Sequence, residues 1–164
     1  MTKTLAALLA AAFLPLAALA QTSPAQGVAA APAAPKWQGY DEAADAKADI
    51  ARALERARAE GKKVMVVFGA NWCPDCRVLD QQIKEGRLKA LVDRQLVTVK
   101  VDVGRFKKNL DLAEAYGVPL KKGIPTLAVL DANGRAVYAT LEGEVGDARD
   151  MSEAGLYQFF DRKW

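Results

Sequence analysis

The 164-residue chain contains no histidine. Without an imidazole there is no Ser/His or Cys/His nucleophile pair and no His-ligated metal centre. Cysteine is nearly as scarce, with only Cys73 and Cys76, both inside one four-residue segment. A structural zinc site takes four ligands and this segment supplies two, so no metal is expected. A strong charge of either sign is also missing. Lys and Arg number 23 against 20 Asp and Glu, a formal +3, and Lys3 is the one charged residue among the first twenty, so the remainder carries +2. Basic residues gather only in pairs such as Lys62-Lys63, Lys107-Lys108 and Lys121-Lys122, which argues against nucleic acid as a partner. The apolar run from Leu5 to Leu19 is broken by Pro15 and falls short of the roughly 20 residues that a spanning helix needs.

That run has another reading. A lysine, an apolar stretch and Ala18-Leu19-Ala20 form the layout of a secretory signal peptide, so residues 1–20 are expected to be removed near Ala20. Residues 21–40 are rich in Ala and Pro without apolar periodicity and read as a disordered leader. Residues 41–164 then form the folded domain, with 51% hydrophobic residues in the whole chain, enough for one core. An exported protein of this kind is expected in the periplasm or secreted, in an oxidising compartment. A monomer is expected.

Along the domain, Ala44, Ala48, Ala51, Leu54 and Ala57 recur at helical spacing between Asp41 and Glu60, and Gly61 closes that helix. Lys63 to Gly69 is a continuous apolar run, the pattern of a strand buried on both faces. A helix follows through Leu79 and Ile83, then a short helical piece over 85–94 and a strand from Leu96 to Val103. Phe106, Leu110, Ala113 and Tyr116 predict a further helix. Ile124 to Leu130 and Arg135 to Leu141 predict a hairpin around Asp131-Ala132-Asn133-Gly134, and Ser152 opens a last helix with Leu156, Phe159 and Phe160 inward. Strands interleaved with helices indicate an α/β fold, a central mixed β-sheet flanked by helices.

The cysteines fall where the first strand gives way to a helix. A sulfur at a helix N-terminus meets unpaired backbone N–H groups and the positive end of the dipole, which favour its thiolate. Cys73 is therefore assigned as the nucleophile and Cys76, three residues on, as the resolving thiol. Attack on a disulfide by Cys73 gives a mixed disulfide, and attack by Cys76 on Cys73 releases the partner. The competing reading is an inert local bridge, which would constrain little chain.

Phe68-Gly69-Ala70-Asn71-Trp72-Cys73-Pro74-Asp75-Cys76 resembles the active-site segment of thioredoxin-like proteins, and Gly123-Ile124-Pro125-Thr126 resembles their cis-proline loop. The resemblance implies the thioredoxin fold and a thiol-disulfide oxidoreductase whose only redox group is the Cys73-Cys76 disulfide, with no other cofactor. It implies that Trp72 packs beside the reactive sulfur, that Pro125 is cis and that Ile124 pairs with an extended client segment. Pro74 and Asp75 replace the family's usual Gly-Pro, which would place a carboxylate between the sulfurs and raise the nucleophile's pKa. Val67 stands where the family usually has a buried acid, and Lys100 matches that acid's usual partner. Lys100 is expected to be a snorkelling surface residue. The partners implied are client proteins and an electron-donor protein at the membrane. A periplasmic reductase is the leading reading, with an isomerase or oxidase of the same fold, or a non-catalytic binding module, as alternatives.

Overall fold

The computed structural model describes residues 37–164. The signal-peptide reading and most of the leader reading lie outside these residues. The last four leader residues, however, belong to the folded body: Trp37 packs against the core and Tyr40 is 3% exposed. Aromatic area of this size is worth burying, and composition averaged over an Ala/Pro-rich stretch hides it.

Helix α1 (Ala46–Glu60) starts at Asp45, whose carboxylate accepts from the Ala48 N–H at 3.1 Å, and ends at Gly61 with φ 65°. Only glycine adopts that left-handed cap without a steric cost. The helix buries Ala46, Ile50, Ala53 and Ala57. Of the five expected positions only Ala57 is buried; Ala51 is exposed, and Ala44, Ala48 and Leu54 are half-buried. An alanine-rich helix offers several apolar stripes, and the one through the bulkier Ile50 faces the core.

Strand β1 (Lys63–Gly69) is buried from Val64 onward and sits inside a four-stranded sheet of order β2-β1-β3-β4. It runs parallel to β2 (Leu96–Asp102), with Val67 opposite Lys100 and Gly69 opposite Asp102. It runs antiparallel to β3 (Thr126–Leu130), which pairs antiparallel with β4 (Ala136–Ala139) across an irregularity at Val129/Leu130. Helices α2 (Pro74–Gln82) and α3 (Gly86–Gln95) lie between β1 and β2 in sequence, the crossover that a parallel pair requires. Helix α5 (Glu153–Phe160) is capped by Ser152, which accepts from Gly155 N–H at 3.1 Å.

Two apolar clusters sandwich the sheet. Val64, Val66 and Phe68 join Val97, Val99 and Val101 under α1, while Met65, Val67, Leu127 and Val129 pack with Leu79, Leu88, Leu91, Leu156 and Phe160. The helix expected from Phe106 is shorter than its pattern: α4 spans Leu110–Ala115, and Phe106, at φ 57°, lies in the preceding loop, 41% exposed. Its helical spacing is coincidental, since the side chain serves the surface described next.

Candidate active site

Cys73 is the N-cap of α2 and Pro74 its first residue, where the missing N–H costs nothing. Cys73 and Cys76 are joined as a disulfide. The Cys76 N–H donates to Cys73 Sγ at 3.1 Å, and no other hydrogen-bond donor to that sulfur occurs among the described residues. Cys73 Sγ also lies 3.4 Å from the Ile124 carbonyl oxygen, to which a free Cys73 thiol can donate. The Ile124-Pro125 peptide bond is cis. Exposure barely separates the sulfurs, at 3% for Cys73 and 1% for Cys76. Position separates them, because Cys73 occupies the helix terminus and faces the Ile124-Pro125 loop.

Trp72 is not a core aromatic. It is 45% exposed, its Nε1–H donates to Gly104 O at 2.8 Å, and its ring meets Phe106 edge-on at 5.9 Å. Phe106, Leu110, Leu120, Lys121 and Gly123 line a groove next to the Ile124-Pro125 loop. An exposed apolar surface beside a reactive sulfur suits an apolar segment of another protein.

Asp75, between the cysteines, has a partner that the sequence does not announce. Its carboxylate accepts from both the backbone N–H and the Nε–H of Arg149 at 3.0 Å. Burial alone would raise its pKa, but these Arg149 hydrogen bonds hold it below the ordinary carboxylate range. The Arg149 guanidinium partly offsets the charge that Asp75 sets between the cysteines. Because the folded pKa is depressed, the stabilisation is present above the unfolded value of about 3.9 and is lost as pH falls through the folded one. Asp75→Ala should cost roughly 1 kcal/mol at pH 7, less than a fully buried charged hydrogen bond because Arg149 is exposed. Urea unfolding at pH 7 and pH 3 checks this: the gap between variant and wild type narrows in acid.

Lys100 is half-buried instead of lying on the open surface. Its Nζ lies 3.4 Å from Asp80 Oδ1, donates to the Gln38 carbonyl and sits 5.4 Å over the Tyr40 ring. Burial lowers its pKa, opposed by the attraction of Asp80. Asp80 is 4% exposed, and its other oxygen holds Lys84 at 2.7 Å. Tyr40 is held in place by Asn71, which accepts from the Tyr40 N–H at 2.7 Å and donates to its carbonyl at 2.9 Å.

Known proteins resemble this chain in sequence and fold. Residues 45–132, over half the chain, match the thioredoxin-like family model. The chain belongs to the thioredoxin-like family. The crystal structure of a disulphide isomerase from Xylella fastidiosa Temecula1 is 44% identical, with a TM-score of 0.71, and the match covers 74% of this chain and 92% of that one. The thiol:disulfide interchange protein DsbD 2 of Pseudomonas aeruginosa is 33% identical over 101 residues, 60% of this chain and 16% of that protein. A probable nucleoredoxin 3 of Oryza sativa subsp. japonica is 30% identical over 94 residues, 46% and 20% respectively. The chain spans less than a third of the length of these curated relatives. Likeness to the disulphide isomerase and the interchange protein, together with the joined cysteine pair, supports thiol-disulfide oxidoreduction.

Sequence reasoning misses Tyr40, Asp80 and Arg149. Asp80 has a readable signal, since it lies four residues after Cys76 and so one turn along the same helix face. Tyr40 and Arg149 have none, because each reaches the site across a long stretch of chain.

Proposed function

We propose that the protein is a periplasmic disulfide reductase that acts on protein clients through a mixed disulfide at Cys73. The observation that carries this reading is the position of Cys73 Sγ, at the start of α2 and 3.4 Å from Ile124 O beside the apolar groove. The Cys73 thiolate attacks one sulfur of a client disulfide, and the other client sulfur leaves as a thiolate that takes up a proton. Cys76 loses its proton, attacks Cys73 Sγ, closes the Cys73-Cys76 disulfide and expels the second client thiolate. Two electrons pass to the client. A dithiol electron-donor protein, at the membrane in this reading, must return two electrons before the next cycle.

The direction of transfer follows from the thiolate. Strongly oxidising pairs owe their potential to a well-stabilised reduced form. Among the described residues Cys73 Sγ accepts a single backbone N–H, so its thiolate is stabilised modestly. Such a pair gives up electrons readily. The periplasmic location rests on the signal-peptide pattern of residues 1–20 and on the likeness to interchange proteins of Pseudomonas.

Likeness to the Xylella disulphide isomerase favours a second reading, disulfide isomerisation. Two assays on the same preparation separate them. The reductase reading expects fast insulin reduction with dithiothreitol as donor and no recovery of activity from scrambled ribonuclease. Efficient ribonuclease recovery with slow insulin reduction would replace it by isomerisation, and failure in both would leave a binding module.

A further inference from the structure

Resolution of the mixed disulfide requires Cys76 to lose a proton, yet Cys76 is only 1% exposed. Water is therefore not at hand to take it. Position 67 on β1, from which an acid could serve, is Val67, 3% exposed among aliphatic side chains. Some other group must accept the proton.

The charged groups linked to Asp80 and Asp102 come from three places. Helix α2 supplies Asp80 and Lys84, strand β2 supplies Lys100 and Asp102, and the loop after β2 supplies Lys108, 3.4 Å from Asp102. Tyr40 enters among them from the N-terminal segment. A methyl group built on Gly69 would lie 2.2 Å from Tyr40 Oη and 3.0 Å from Cys76 Sγ, so hydroxyl and sulfur share the space over this one glycine. Lys100 Nζ links the Tyr40 ring to Asp80, lying 5.4 Å over the ring and 3.4 Å from Asp80 Oδ1, and after burial itself the charges of Asp80 and Asp102 hold the hydroxyl's pKa well above the ordinary phenol value. Oδ1 of Asp80 is buried and accepts no hydrogen bond from the described residues, although Lys100 balances its charge. A buried carboxylate oxygen with unspent accepting capacity is poised to receive a proton.

We infer that the Tyr40 hydroxyl relays the Cys76 proton to Asp80 during resolution of the mixed disulfide. In this step the S–H proton of Cys76 passes to Tyr40 Oη while the Tyr40 O–H proton passes to Asp80 Oδ1. Tyrosine stays neutral, Asp80 becomes a carboxylic acid, and the freed thiolate forms the S–S bond with Cys73 as the client thiolate departs. Asp80 then returns its proton to solvent past Lys84, whose side chain is 40% exposed. The high phenol pKa does not oppose this, because no phenolate accumulates.

The relay rests on the exchange reaction proposed above, so its test must read the two cysteines separately. Stopped-flow mixing of the reduced protein with a symmetric nitroaryl disulfide releases one coloured thiolate when Cys73 attacks and a second when Cys76 resolves. In Tyr40→Phe the first phase is expected unchanged and the second slowed on the order of 100-fold at pH 7, the usual worth of positioned proton transfer. The wild-type second phase is expected to be nearly flat between pH 6 and 8. In the variant it should rise about tenfold per pH unit, as a thiol that must ionise unaided does. Asp80→Asn should behave alike, and the double variant should be no slower than either single one. If Asp80→Asn unfolds, Asp80→Asn with Lys100→Met removes the stranded cation. A Tyr40→Phe second phase with wild-type rate and profile overturns the relay, and a wild-type second phase in the Asp80 variant overturns the acceptor. Loss of the first phase in the wild-type protein would instead refute the exchange reaction.

Discussion

Replacing Cys73 by Ser is expected to abolish insulin reduction entirely, whereas Cys76→Ala should keep the first attack and halt on the client. A hydroxyl at this position is essentially never ionised at pH 7, and the helix terminus with one N–H from Cys76 cannot make it so. The rate should fall to the uncatalysed background. Cys76→Ala leaves Cys73 at the N-cap and beside Ile124 O, so it still forms the mixed disulfide but lacks the sulfur that opens it. Insulin turbidity measures the first claim, and intact-mass spectrometry of the stalled adduct measures the second. Turnover that survives in Cys73→Ser would refute the nucleophile assignment, and equal trapping by Cys73→Ser and Cys76→Ala would refute the division of roles.

The largest effect on stability is expected at Gly69. An added methyl would sit 2.2 Å from Tyr40 Oη and 2.4 Å from Tyr40 Cζ, closer than real Cβ contacts, and 3.0 Å from Cys76 Sγ, which is tight. Tyr40 cannot swing clear cheaply, because it is 3% exposed and its backbone is held at both ends by Asn71. Gly69→Ala should therefore cost roughly 3 kcal/mol, the upper part of the range for overpacking a well-filled site. The cause is checked by a double-mutant cycle in urea. Tyr40→Leu removes the two closest atoms, so Gly69→Ala should cost less than about 1 kcal/mol in that background. Additive losses would mean that the strain lies elsewhere.

Much of this architecture can be read from the chain itself. The run Val64 to Phe68, the helix stop at Gly61 and the Asp131 to Gly134 turn each carry a local physical signal, and the sheet follows from their order. The cysteine pair and the Ile124-Pro125 loop are legible because their spacing is chemical. Three things are not. The buried face of α1 depends on which alanine stripe packs, and alanines look alike. Sequence sets Asp75 between two sulfurs, but a carboxylate goes to the best donors within reach, and Arg149, 74 residues away, supplies two. The composition around Tyr40 is that of a leader, while its own aromatic area and the gap over Gly69 decide its position.

Among the described residues one side of β4 has no partner strand, which has a practical consequence. A free strand border is where proteins most easily stack into open-ended ribbons, because its amide groups await partners. Here that border is four residues long, and the ladder behind it is already out of step at Val129/Leu130. A neighbouring molecule therefore finds few amides in line on this border, so stacking through β4 should not set in during repeated cycles of reduction and reoxidation.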